Sequence, residues 1–75
     1  KNFQTSDLAL AAFIECHDQA CSIELIRPGK AIFIFSHNEK IDELIQAFWS
    51  GSSLVEPKNF FSQLKFLKTR LYEIQ

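Results

Sequence analysis

The fold depends most on residues 21–35, which read CSIELIRPGKAIFIF and indicate a β-hairpin. The first part of this stretch alternates apolar and polar residues, as a strand with one buried face does. Pro28 fixes φ at about −65°, and Gly29 supplies the positive φ that a type II turn needs. Residues 31–35 are apolar on both faces, so both faces of this strand should be covered. One layer of helices would cover the first face, and the second face needs further helix or a second copy of the chain.

A first helix is predicted before the hairpin. Thr5 or Ser6 can act as its N-cap, and Asp7 adds negative charge to its first turn. The apolar residues that follow recur at helical spacing. The helix should end near His17, before a short polar stretch.

Two further helices are predicted after the hairpin. Ser36 and Glu39 form a capping box that should open the second helix, and Gly51 can end it in the left-handed conformation. Pro57 suits the first turn of the third. We therefore predict one α+β domain over residues 1–75, of order α-β-β-α-α, in which helices pack an antiparallel hairpin. Helices two and three should supply most of the core.

The composition indicates a folded domain with apolar surface to spare, since 47% of the residues are hydrophobic and eight are Phe. A chain of 75 residues gains only about 3–5 kcal/mol from its core, so a partner, self-association or a longer chain often stabilises such domains. No apolar run is long enough to cross a membrane. The net charge of −1 favours no class of partner.

The chain begins at Lys1 and contains no Met, so we expect a processed product, a fragment or the ordered part of something longer. The pattern of a secretory signal is absent, which favours a cytoplasmic location. In that compartment Cys16 and Cys21 are more often free thiols, and a disulfide between them is the alternative.

No residue pattern points to catalysis, to a metal or to a cofactor. Cys16, His17, Asp18 and Cys21 are metal-ligating residue types, but structural zinc sites use paired elements and four ligands. Neighbouring helical residues point about 100° apart, so Cys16 and His17 cannot act as a nucleophile and its base. The acids of residues 39–43 are typical of a solvated face near a helix N-terminus.

The third helix carries the basic residues that best suggest a function. Lys58, Lys65 and Lys68 share one face, with Phe61 and Tyr72 beside them. Positive charge attracts phosphate, and aromatic rings stack on bases. These residues predict a non-enzymatic binding module for nucleic acid or for an acidic protein surface. The alternative is that the lysines only keep a helix face soluble.

Two other groups of residues extend the candidate surface. Arg27 and Lys30, at the hairpin tip, would add positive charge if the tip folds toward the third helix. Exposed aromatic patches mark interfaces, and we expect one with a second copy or a host protein. The candidates for that interface are Ile26, Ile32, Ile34, Trp49 and Phe66. The alternative is that all of them pack inside, with the hairpin as a central layer.

Four stretches carry a resemblance to a known family, namely TSDLALAAFI, AIFIF, IQAFWSGSSLVEPKNFF and LKFLKTRLY. Together they are similar to a family of small domains of unknown function from bacteria and their phages, which opens with Ser/Thr-Asp-Leu-x-Leu-Ala-Ala. The matching positions are residues 6–12, Phe48, Trp49, Gly51, Val55, Pro57, Phe60, Phe61, Leu67 and Lys68. They belong to caps, core and turns, so the resemblance supports the fold and implies no activity. The resemblance leaves the function open, and our own expectation is a small regulatory or accessory factor of bacterial or phage type.

Overall fold

The computed structural model describes residues 2–74. The elements are β1 (Asn2–Thr5), α1 (Leu8–Glu15), β2 (Cys21–Arg27), β3 (Lys30–Ser36), α2 (Glu39–Ser50) and α3 (Pro57–Ile74). The α+β class, the hairpin and the three helices are confirmed. The chain adds one strand, β1, ahead of the expected order α-β-β-α-α. None of the helices in residues 2–74 is both long and apolar enough to cross a membrane.

The sheet is antiparallel, with β3 between β1 and β2. On one side Phe3 lies opposite Phe35, and on the other Cys21 lies opposite Phe35. A register shift near the end of β2 leaves Ile26 without an opposite residue. Gly29 has a φ of 82°, which confirms the positive φ predicted for this residue of the turn. Because two strands alone are marginal, β1 gives the hairpin the third strand that it needs.

The helices cover one face of this sheet. Phe33 and Phe35 lie on that face and are buried. Ile32 and Ile34 lie on the opposite face and are half-buried, between exposed polar residues of the flanking strands. Within residues 2–74 no helix covers this second face, so its cover by a second copy stays a prediction.

The core is centred on α1, which contacts both α2 and α3. The buried residues are Leu10, Ala11, Ala12, Phe13, Ile14, Phe33, Phe35, Ile41, Leu44 and Leu67. The expectation that α2 and α3 supply most of the core is wrong, because five of these ten residues belong to α1. The small side chains of Ala11 and Ala12 allow the neighbouring elements to approach α1 closely.

The N-caps of α1 and α2 differ from those predicted. Asp7 caps α1 by accepting the amide three residues on at 3.1 Å, while Thr5 belongs to β1. Asn38 caps α2 in the same way at 2.9 Å, and Ser36 is the last residue of β3. Both predictions were wrong: Thr5 and Ser36 are the last residues of strands, and Ser6 lies one residue before the actual N-cap. Gly51 has a φ of 78°, as predicted for the end of α2.

Candidate functional site

The outward face of α3 carries a line of basic and aromatic residues, which we call the basic stripe: Lys58, Phe61, Lys65, Lys68 and Tyr72. The last four are spaced by four, three and four residues, which keeps them on one side of a helix. All five are exposed, Phe61 to 66% and Tyr72 to 76%. The helix is continuous, so the stripe is about 21 Å long at 1.5 Å per residue.

The lysines of the basic stripe have no acidic partner among residues 2–74. The ion pairs found there join His37 to Asp42 at 2.9 Å and Arg70 to Glu15 at 3.6 Å. Glu56 is the acid just before α3, but its carboxylate accepts the backbone amides of residues 58 and 59 at 3.2 and 2.8 Å. It therefore caps the helix, and the three ammonium groups stay available to an external anion.

Arg70, the fourth basic side chain of α3, makes internal contacts instead. Its Nη2 donates to the carbonyl of Cys21 at 2.9 Å, and its Nη1 lies 3.6 Å from Glu15 Oε2. Its guanidinium also lies 5.5 Å from the ring centre of Phe66. These contacts tie α3 to β2 and to the end of α1. They fix the rotation of α3 about its axis, which directs the basic stripe outward.

The thiol of Cys21 belongs to the same cluster. Glu15 Oε2 accepts the amide of Cys21 at 3.2 Å and its thiol at 3.3 Å. Burial and the nearby Glu15 carboxylate raise the pKa of Cys21 to about 12, so it stays protonated at neutral pH. Burial also raises the pKa of Cys16, and both cysteines are free thiols. Residues 2–74 contain no group of three or more His, Cys, Asp or Glu placed to hold a metal ion.

The hairpin tip lies beside the C-terminal part of α3. Gly29 and Lys30 line a cleft of about 330 Å³ together with Leu71 of α3. Lys30 therefore lies near the end of the basic stripe. Arg27 is exposed at the end of β2 and makes no ion pair among the described residues.

The apolar residues predicted for an interface lie on four different elements. Trp49 is 65% exposed at the end of α2, Phe66 is 53% exposed on α3, and Ile26 is 50% exposed at the irregularity in β2. Ile32 and Ile34 lie half-buried on the open face of the sheet. Their exposure suits an interface, and that role stays a prediction.

The comparisons with known proteins give a family and no activity. Residues 1–73 match the family model of the domain of unknown function DUF5659. The chain belongs to this family. Neither the comparison with curated proteins nor that with solved structures found a match. The resemblance to small domains of unknown function is confirmed at this level, while the bacterial or phage origin and the opening motif stay predictions.

Two surface features of this DUF5659 domain were missed in the sequence. Leu54 is 85% exposed between α2 and α3, and a single Leu within a short polar linker was the signal for it. The second feature is the cleft, in which Ser6 and Leu8 lie next to the hairpin tip. No sequence pattern indicated that proximity, because it depends on how α1 packs across the sheet.

Proposed function

We propose that this domain is a non-enzymatic binding module that contacts nucleic acid through the basic stripe of α3. The observation that carries the proposal is a set of three exposed lysines that have no acidic partner among residues 2–74 and share one face of a continuous helix with two exposed aromatic rings. We further propose that it is a small regulatory or accessory factor of bacterial or phage type and that it works in the cytoplasm.

The chemistry of the stripe favours single-stranded nucleic acid. In this arrangement Lys58, Lys65 and Lys68 contact phosphates and release counterions, which supplies affinity without sequence preference. Phe61 and Tyr72 present rings on which unpaired bases stack, at about 1–3 kcal/mol per base. Bases in a duplex are already stacked on one another, so the two rings add affinity mainly for single strands.

The salt dependence of binding tests this proposal. A fluorescent single-stranded oligonucleotide is titrated with the domain at several salt concentrations, and anisotropy gives the affinity. Three phosphate contacts predict a slope of log K against log salt of about −2 for a single strand and about −3 for duplex DNA. Absence of binding at low salt, or affinity that does not change with salt, contradicts the proposal.

A second candidate is a protein-interaction or structural domain, self-associating or docked on a larger protein. Trp49 and Leu54 are more than half exposed, which favours an interface. The outer face of α2 carries the exposed acids Glu39, Asp42 and Glu43, whose charge complements the basic stripe of another copy. An acidic surface on a foreign protein would meet the same stripe.

Light scattering distinguishes self-association from a monomeric binding module. Self-association predicts a dimer or larger species, which Ile34→Lys or Phe61→Glu disperses without unfolding the chain, because both residues lie outside the fully buried core. Circular dichroism of each variant is the control for folding. A strict monomer at high protein concentration contradicts self-association and leaves docking on a foreign protein as the form of this candidate.

A further inference from the structure

A cleft opens at the end of the molecule where the hairpin tip, the start of α1 and the C-terminal part of α3 meet. Its volume is about 330 Å³, which falls at the lower end of the range of ligand pockets, about 300–1,000 Å³. It lies outside the basic stripe, but its wall residue Leu71 immediately precedes Tyr72 and follows Lys68 by three residues. The cleft therefore begins within one helical turn of the end of the stripe.

The apolar walls of the cleft make up only part of its surface. They are formed by Leu8, Ala31, Phe33 and Leu71, which belong to three different elements. Phe33 is only 2% exposed and lies in the central strand, paired on both sides, so this wall is held in place. A small, flat, apolar group gains free energy by leaving water for such a site.

Hydrogen-bond donors lie at the rim of the cleft. Lys30 is the one charged side chain among the residues that line it, and it is exposed and makes no ion pair within residues 2–74. Ser6 adds a hydroxyl. A cation and a hydroxyl at one rim together favour an anionic group.

We propose that this cleft binds one nucleotide unit, with the base against the apolar walls and the phosphate at Lys30 and Ser6. This inference rests on the proposed function. A single nucleic-acid strand that binds along the basic stripe would place its terminal or unstacked nucleotide in the cleft. A free nucleoside monophosphate has the same chemistry and would occupy the same site.

Titration of the ¹⁵N-labelled domain with nucleoside 5′-monophosphates, followed by NMR, tests the inference. Saturable shifts are expected for the amides of Leu8, Lys30 and Ala31, and smaller ones for Lys65. Inorganic phosphate alone is titrated in parallel, and it should shift these amides much less, because it lacks the base.

Three variants locate the binding. Lys30→Gln removes the cation and Ser6→Tyr obstructs the rim, and each should weaken mononucleotide binding at least about tenfold, a factor that 1.4 kcal/mol supplies. Both residues are exposed, so both variants should fold. Lys40→Gln, on the exposed side of α2, is the matched control and should bind mononucleotides like the original chain.

The outcomes separate this inference from the function on which it rests. Mononucleotide binding that Lys30→Gln weakens and a Lys65→Gln/Lys68→Gln variant retains supports the cleft. If an oligonucleotide binds and mononucleotides cause no saturable shifts, the proposal that the cleft binds a nucleotide is wrong, and the proposal that the basic stripe binds nucleic acid stands. If mononucleotides bind and oligonucleotides do not, the cleft is a site for free nucleotides, and the proposal that the basic stripe binds nucleic acid is wrong. Equal shifts with phosphate alone overturn the base-binding part.

Discussion

Arg70 fixes the orientation of α3 through contacts with the start of β2 and the end of α1. Its partner Glu15 has a side chain that is only 7% exposed, so the carboxylate depends on this guanidinium for its opposite charge and on Cys21 for its hydrogen bonds. The exposed lysines of α3 have no such role. One arginine therefore serves packing, while the lysines of the same helix remain available for binding.

Removal of the guanidinium should destabilise the domain. We expect Arg70→Met to lower the free energy of unfolding by about 1.5–3 kcal/mol, the range for hydrogen bonds to charged groups, because Glu15 loses its cation. Urea denaturation measures the change, with Lys68→Met as the control on the exposed face. A loss no larger than that of the control would show that the cluster does not hold α3 in place.

The thiol of Cys21 should make the stability depend on alkaline pH. Its pKa rises from 9.0 to about 12 on folding, because it is buried beside Glu15. The unfolded chain therefore releases this proton first, and the free energy of unfolding should fall as the pH rises from about 9 to about 12. Urea denaturation across this range measures the fall, and Cys21→Ala should reduce it. A fall of equal slope in Cys21→Ala would refute this assignment.

At the scale of elements, the sequence predicted the hairpin and all three helices, because each is a run rich in apolar residues that is bounded by turn or cap residues. It did not predict β1. The strand Asn2–Thr5 has four residues, which is too short for a convincing alternation. Its structure depends on pairing with β3, and a single segment carries no information about a partner so distant in sequence.

The caps show the same limit and provide a test. Asn38→Ala should lower the free energy of unfolding by about 1 kcal/mol, because its side chain accepts the amide of Ile41 at 2.9 Å. Ser36→Ala should have little effect, since Ser36 is an exposed strand residue. Thermal or urea denaturation of the two variants measures the difference. The reverse order of effects would restore the capping box that the sequence suggested.

The candidate site was predictable to a similar extent. Periodicity alone placed Lys58, Lys65 and Lys68 on the outer face of α3, and the structure shows all three exposed. The role of Arg70 was not predictable, because its partners lie in α1 and β2, far away in the chain. The cleft was equally out of reach, since its walls come from three elements that only the folded chain brings together.

At the scale of the whole molecule, the charge is sorted although its sum is only −1. The outer face of α2 is acidic, and α3 carries the basic stripe. Such a separation allows one side of a nearly neutral domain to attract a polyanion, because exposed charges act mainly within about 8–10 Å at ordinary salt. The open face of the sheet, with Ile32 and Ile34, is the second surface, for which self-association stays a prediction.

The central claim is that the lysines of α3 bind nucleic acid, and a comparison of matched charge removals tests it most directly. The affinity for a single-stranded oligonucleotide is measured at low salt for the original chain, for Lys65→Gln, for Lys68→Gln and for Lys40→Gln on α2. We predict several-fold weaker binding and a shallower salt slope for each α3 variant, and no change for Lys40→Gln. Equal losses for all three variants, or binding that none of them alters, would contradict the claim.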